Sequence, residues 1–265
     1  MLPLVGGDGI RAVLHCICLE AAAAGIEQIG VIVSPGQEET CRRYFAAARD
    51  SEAQDLPVDI EYIVQPTPAG FGEAVLRGAE FVGADAPGFL MMLGDHVHAV
   101  ARNRPSCAAQ VTRAFAERPG AAMIGMQPVG PEELPRVGVA GGEPVGGRVY
   151  RCTDFVEKPA LQVARQRLVT AELPSDRFLA HCGAYAFTPE IFECLSDLAA
   201  SGAAAGEIQL ADAQSMLLKR HRQDYYLLHV EGRAWDVGTP RGYAEAFVAT
   251  RDARSAGPAI RKEAP

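Results

Sequence analysis

The order of strand and helix signals predicts an α/β domain built on a layered sheet. Two observations carry that prediction. Short apolar runs alternate with helix-length segments along the whole chain, with no internal repeat. The stretch from Glu61 to His98 then gives the pattern in miniature: Tyr62–Val64, a glycine turn Ala69-Gly70-Phe71-Gly72, a helical segment Glu73–Phe81, and Phe89–Leu93. The two apolar runs look like buried parallel strands. The second ends in Gly94-Asp95, and a carboxylate just past such a strand sits where open α/β sheets bind ligands. A glycine before it lets a phosphate or metal come close to the backbone.

Read alone, Asp95 is as readily a turn former. His96 and His98 add a metal-ligand reading, although alternate residues after a strand need not converge on one ion. The Gly-Asp-x-x-His pattern is similar to that of metallophosphoesterases, but the Gly-Asn-His-Glu stretch that should accompany it is absent from the sequence.

The elements follow in order. Residues 1–9 read as a loop without a strand. Ile10 to Ala24 has helical composition, stopped by Gly25. Ile29–Val33 is a β-branched strand, Ser34-Pro35-Gly36 a turn, and Gln37–Ala48 a helix. After His98, Ser106–Glu117 reads as a helix and Ala121–Met126 as a strand. Arg136–Val139 and Arg148–Val156 read as strands around a glycine-rich turn, Gly141 to Gly147. Ala160–Leu168 is a helix. Leu179–Phe187 is apolar with a polar break at His181. Thr188-Pro189-Glu190 reads as an N-cap followed by proline at the first helical position. Gly206–Lys219 is a helix, Tyr225–Val230 a strand, Trp235–Gly238 a tight segment and Pro240–Thr250 a closing helix. The expected domain is residues 1–250, with 251–265 a flexible tail.

Composition narrows the function. The chain has 265 residues, enough for one sizeable core, and 48% of them are hydrophobic. A formal charge of −8, from 25 basic and 33 acidic residues, argues against a nucleic-acid-binding surface. No apolar run reaches membrane-span length, and Met1–Val5 lacks a basic leader, so no membrane partner is expected. Seven scattered cysteines without a C-x-x-C predict buried free thiols in a reducing cytoplasm.

Small and charged residues recur at predicted strand ends: Gln65 to Gly72, Gly94-Asp95, Gly138, Glu157-Lys158-Pro159 and Trp235-Asp236-Val237-Gly238. Singly, each has an ordinary structural reading: a solvated ion pair for Glu157-Lys158, a turn for Asp236, a favoured first-turn acid for Glu207. Their order carries more. The chain resembles the sugar-1-phosphate nucleotidylyltransferase family, in its UDP-glucose pyrophosphorylase branch. Met1–Val5 resembles M-L-P-L-V and Ala23-Ala24-Gly25-Ile26 resembles A-A-G-I. Gln65…Gly70-Phe71-Gly72-Glu73-Ala74-Val75 resembles Q…G-L-G-H-A-V. Leu93-Gly94-Asp95, Val156-Glu157-Lys158-Pro159 and Gly183-Ala184-Tyr185 match L-G-D, V-E-K-P and G-x-Y. Gly206-Glu207-Ile208-Gln209-Leu210-Ala211-Asp212-Ala213 is one residue from G-E-I-Q-L-T-D-A, the most specific signal, and it favours the uridylyl branch. Trp235-Asp236-Val237-Gly238 leans towards the thymidylyl branch, since the uridylyl branch more often has D-C-G there.

The resemblance implies a three-layer Rossmann-like nucleotidyltransferase fold with a mixed, mostly parallel sheet. It implies transfer of a uridylyl group from UTP to glucose 1-phosphate. Asp95 and Asp236 would hold Mg²⁺, and Lys158 would face the sugar phosphate as a point charge. Glu157 would accept from sugar hydroxyls, and Gly138 and Gly183 would bring backbone close to the hexose. Gln65 and Gly70 would read the base, and Glu207 would lie on the sugar side or at an interface. The oligomeric state is left open, a homo-oligomer included. One departure stands out. The family opens with a central strand and a G-x-G-T-R loop, then T-K and P-K-E, before M-L-P-L. Here Met1 is that internal methionine, and Gly6-Gly7-Asp8-Gly9 lies on the wrong side of it. The expectation is therefore a truncated domain whose first central strand is missing. A non-catalytic sugar-nucleotide-binding relative and a thymidylyltransferase-type enzyme stand as alternatives.

Overall fold

The computed structural model describes residues 2–6, 9–49, 56, 58–201 and 207–255. The chain opens with strands β1 (Pro3–Gly6) and β2 (Gly9–Ala12), helix α1 (Val13–Ala23), strand β3 (Gln28–Val33), helix α2 (Gln37–Arg49) and strand β4 (Asp59–Val64). Short helices α3 (Phe71–Arg77) and α4 (Ala79–Val82) lead to β5 (Phe89–Met92), β6 (His96–Ala99) and α5 (Cys107–Glu117). Then come β7 (Ala122–Val129), β8 (Gly138–Gly146), β9 (Val149–Glu157), α6 (Leu161–Arg167), β10 (Phe178–Phe187) and α7 (Glu190–Ala200). The chain closes with α8 (Leu210–Arg220), β11 (Tyr225–His229), β12 (Arg233–Asp236) and α9 (Pro240–Ser255).

A six-stranded mixed sheet, in the order β5-β10-β7-β11-β9-β8, forms the middle layer. One face packs on α3, α7 and α8 through Ile124, Phe187, Leu195 and Leu217. The other carries α5 through Met123, Val111 and Ala184. Covered on both faces, β7 and β10 are apolar almost throughout, as strands in that position must be. β3 and β4 form a separate parallel pair, and β6 and β12 an antiparallel one.

Several expectations need correction. The first residues are not a loop: β1 and β2 make an antiparallel hairpin from Pro3↔Ala12 to Gly6↔Gly9. Burial of Leu4 among Val13, Ile17, Val97 and Val237 outweighs the turn-forming composition. The first helix therefore begins at Val13, three residues later than its composition suggested. The sheet is not mostly parallel. Within the six strands only β7–β11 is parallel, and β5 runs antiparallel to β10 because the long β10 passes back beside it. The described residues place no strand between the β3–β4 pair and β5.

Gly141 is not in a turn either. It lies inside β8, where a side chain would meet the Leu168 Cα at 2.9 Å, so the glycine admits the end of α6. The segment Glu73–Phe81 breaks into two short helices at Gly78. Pro189, not Thr188, occupies the cap of α7; the Thr188 hydroxyl bonds the Ala121 carbonyl instead. The helix expected from Gly206 starts at Leu210, and Gly206 itself lies outside the described residues. α9 runs on to Ser255, and the rest of the expected tail lies outside them too. The seven thiols are free, six buried and Cys16 half-buried. Burial pushes the thiols of Cys18 and Cys152 up to about 12.

Candidate active site

Three groups of the expected residues assemble on different elements. The first is a pair of carboxylates. β5 ends before Gly94-Asp95, and β6 then pairs with β12 so that His96 stands opposite Asp236. The Val237 amide donates to the Asp95 carbonyl at 2.7 Å, which fixes the two segments side by side. A side chain on Gly238 would lie 3.0 Å from Asp236 Oδ1 and 3.4 Å from Asp95 Oδ2, so both carboxylates border the space above that glycine. One oxygen of each is already engaged: Asp95 Oδ1 with His96 Nδ1 at 2.8 Å, and Asp236 Oδ1 with the Gly238 amide at 2.8 Å. The hydrogen bond from His96 holds the Asp95 carboxyl below the usual range, against the effect of partial burial. The other oxygen of each makes no hydrogen bond among the described residues and is a hard donor.

No cluster of three or more His, Cys, Asp or Glu side chains fit to hold a metal forms among the described residues. Two carboxylates completed by phosphate oxygens and water suit Mg²⁺, which seldom uses an all-protein cage. The residues present therefore fit that ion.

The second group surrounds the glycine turn. The Gln65 amide follows β4 and donates to the Val33 carbonyl at 2.8 Å. Its side chain Nε2 donates to Glu73 Oε2 at 2.6 Å and to the Gly70 carbonyl at 3.3 Å. Glu73 is buried and also bonds Arg77. Gly70 has φ +102°, and a side chain there would strike the Ile208 carbonyl at 2.6 Å and the Glu207 Cβ at 2.7 Å. Backbone bonds Gly72 N to Ile208 O (2.8 Å) and Ile208 N to Ala69 O (3.0 Å) staple the turn to the segment before α8. Glu207, expected on the sugar side or at an interface, has its Cβ beside Gly70.

The third group lies where β8 begins and β9 ends. Gly138 pairs with Glu157, and a side chain on Gly138 would meet Glu157 Oε2 at 2.6 Å. Loss of solvent raises the Glu157 carboxyl above its ordinary value, against the opposing charge of Lys158. Lys158 is exposed, in the left-handed region at φ +49°, with its amide on the Val137 carbonyl at 3.1 Å.

Tyr185 and Gly183, both on β10, link these groups. Burial raises the Tyr185 hydroxyl's pKa, and the charges of Glu157 and Asp95 add to that rise. β10 shifts register between His181 and Tyr185, a bulge of the kind that re-aims side chains beside sites. Gly183 sits in that bulge at φ +84°, where a side chain would meet the His96 ring at 2.7 Å. Its carbonyl accepts from Leu93 at 3.0 Å, so its first contribution is to seat His96 and the end of β5.

Sequence reasoning missed Glu73, His96 as the partner of Asp95, and Tyr185. The polar break at His181 and the Gly183-Ala184-Tyr185 match had marked this part of β10 without giving Tyr185 a role. A cavity of 310 Å³ lies elsewhere, lined by Leu4, Cys16, Glu20, His98, Cys107 and Thr250. The convergent polar groups define the site better than that cavity does.

A doubly covered sheet with paired carboxylates at a strand end suits transfer of a charged group between phosphates. The chain belongs to the nucleotidyl transferase family, which matches residues 2–253, and it is a nucleotidyltransferase. It is 34% identical over 260 residues to the UTP–glucose-1-phosphate uridylyltransferase of Bacillus subtilis (strain 168), covering 92% of this chain and 80% of that one. It is 30% identical over 264 residues to a putative UTP–glucose-1-phosphate uridylyltransferase of Methanocaldococcus jannaschii, covering 94% and 83%. Its fold is similar to that of a UDP-glucose pyrophosphorylase complexed with UDP-glucose, with TM-score 0.76, 26% identity, and 95% and 89% of the two chains covered. Among the described residues no helix is long and apolar enough to cross a membrane.

Proposed function

We propose that the chain transfers a uridylyl group from UTP to glucose 1-phosphate, giving UDP-glucose and pyrophosphate, with Mg²⁺ held by Asp95 and Asp236. The observation that carries this reading is the approach of both carboxylates to the space over Gly238, with one oxygen of each left open. The reaction is an in-line attack by a sugar-phosphate oxygen on the α-phosphorus of UTP. It needs alignment and charge neutralisation more than a nucleophilic side chain. The metal, when bound, neutralises charge on the phosphates.

The remaining work falls to this chain's own residues. Lys158 brings a positive charge to the sugar phosphate, and Glu157 and the Gly138 and Gly183 backbone bind and orient the hexose. Gln65 reads the base. Its amide nitrogen is committed to Glu73, so its carbonyl oxygen is the group left to contact the base. Uracil offers an N3–H donor to that oxygen, whereas cytosine offers an acceptor and is rejected. Gly70 and Glu207 keep the turn close to the base. The free thiols support action in a reducing compartment.

Pyrophosphate release from UTP plus glucose 1-phosphate tests the reading. We expect release to stop with EDTA and to fall at least about 10²-fold in Asp95→Asn, on the scale of losing one preorganised electrostatic contact. CTP should be a poor substitute for UTP. Turnover indifferent to both EDTA and the substitution would remove the metal assignment, and equal use of CTP would remove the role of Gln65.

A further inference from the structure

β10 places one more polar group in the space between the carboxylates and the Glu157 strand. His181 interrupts an otherwise apolar strand, and nine of the ten β10 residues are buried while His181 is half-buried. Its ring stacks on Phe155, with centroids 4.7 Å apart and planes 17° from parallel. Phe155 is also the ring that a Gly138 side chain would meet, at 2.9 Å, so His181, Phe155, Gly138 and Glu157 form one continuous surface. On its other side His181 meets Tyr185, edge to face, and its Nδ1 lies 3.3 Å from the Tyr185 hydroxyl. Burial and the nearby His96 push its pKa down to about 3, so the ring is neutral at any working pH.

With Nδ1 occupied by Tyr185, Nε2 is the ring's remaining polar atom. It makes no hydrogen bond among the described residues, and it is not among their sealed, unpartnered polar atoms. A core histidine held only for packing gains nothing from an open nitrogen. Two aromatic contacts and one hydrogen bond fix the ring, so that nitrogen has a set direction and little entropy left to lose on binding.

We propose that His181 is a specificity-determining residue for the acceptor sugar, its Nε2 hydrogen-bonding one hydroxyl of the hexose 1-phosphate. The inference rests on the uridylyltransferase reading and adds a contact that reading did not include. A neutral imidazole suits the task. It recognises a hydroxyl without attracting the sugar's phosphate away from Lys158, which a cation on the sugar side would do. Because the ring is fixed from two sides, the contact favours hexoses that carry a hydroxyl at that one position.

The test compares the wild-type enzyme with His181→Leu and His181→Gln, each first checked for unchanged cooperative melting. KM is measured for glucose 1-phosphate, for each of its monodeoxy analogues, and for UTP. We expect His181→Leu to raise KM for glucose 1-phosphate about 2- to 10-fold, the span of a lost neutral hydrogen bond of about 0.5–1.5 kcal/mol, and to leave KM for UTP unchanged. One monodeoxy analogue should show no further loss in the Leu variant, identifying the bound hydroxyl, and His181→Gln should restore part of the affinity. Equal losses for all sugars and UTP would make the residue structural and overturn the proposal. So would an unchanged sugar KM in a wild-type background that makes UDP-glucose. A folded wild-type protein that neither forms nor binds UDP-glucose, by calorimetric titration, would overturn the underlying reading and this contact with it.

Discussion

Two parts of the molecule support the site in different ways. Nine of the ten residues of β10 are buried, and none of the six in β4 is. The Gly138–Glu157 group and His181 rest on the wide sheet, sealed by helices on both faces. The Gln65 turn rests on a two-stranded parallel pair, held mainly by its staple to Ile208. Local stability follows buried apolar contact, so the second region should open more easily than the first. That suits a division in which a nucleotide enters past a yielding loop while the sugar meets a rigid floor. Between the two regions stands a buried pair, Glu20 on α1 and His98 on β6, and the variants below act on this joint and on each side of it.

The largest effect is expected at the joint. His98 Nδ1 lies 3.0 Å from Glu20 Oε2, and its Nε2 lies 2.6 Å from the Cys182 carbonyl on β10. Glu20 also accepts from the Ala108 amide of α5 at 3.0 Å. Burial opposes charge on both partners, yet the bonds prevail: the pKa of His98 is raised well above 6.5, and that of Glu20 is lowered from 4.5. Removing one member of such a pair costs about 3–5 kcal/mol, and Glu20→Ala should show that loss. The sign with pH is fixed. His98 contributes fully below 6.5 and its share fades as pH rises through its higher folded value. Glu20 contributes fully above 4.5 and its share fades as pH falls through its lower folded value. Thermal melts across pH should therefore show the widest gap between wild type and variant from pH 4.5 to 6.5, narrowing in alkali. A gap that widens in alkali would mean that the pair is not charged.

A middle-sized effect separates the two sides. Gly183 and Gly70 both have positive φ and no room for a side chain. Alanine at either costs about 1–3 kcal/mol in local strain. At Gly183 the strain lies inside the buried sheet and against His96, so Gly183→Ala should lower the global Tm. At Gly70 it lies in a half-buried turn that can open locally to release part of the strain, so Gly70→Ala should lower Tm less and weaken binding of UTP as well. Equal Tm losses in the two variants would break the comparison.

Much of this architecture was legible in the sequence, and its limits have physical causes. Periodicity located β3, α2, α5, β7, β10 and β11 because each is long or apolar enough to declare itself. It failed for β1 and β2, where one buried leucine decides the structure, and at Gly141, where a glycine permits close packing instead of a turn. Direction of pairing was invisible: nothing within Phe89–Leu93 says that β10 runs antiparallel to it. At the site, the acids and glycines at strand ends could be named from their order, and the structure brings Asp95 to Asp236, Gly138 to Glu157 and Gln65 to Gly70. Glu73 could not, since a first-turn acid has no mark of burial until the Gln65 amide is seen on it. Tyr185 depended on a bulge in β10 that no short-range pattern encodes.

The smallest expected effect sharpens the account of the joint. Ser106 caps α5, its hydroxyl accepting from the Ala109 amide at 3.1 Å. α1 and α3 have no side-chain cap. The loss of a serine cap costs about 1 kcal/mol, which in a chain of this size lowers Tm by roughly 2–4 °C. Next to that cap, Glu20 binds the Ala108 amide, so the first turn of α5 is held by two acceptors from different elements. Groups that share one turn are not independent, and their losses do not add. With Ser106→Ala alone, Glu20 still anchors the turn, and the cost should stay near the value for a cap. With Ser106→Ala added to Glu20→Ala, the turn loses both acceptors, and the combined loss should exceed the sum of the two. Calorimetric melts of the four proteins between pH 4.5 and 6.5 measure that excess. Simple additivity would mean that Glu20 serves His98 alone, and that α5 is not part of the joint between the two regions.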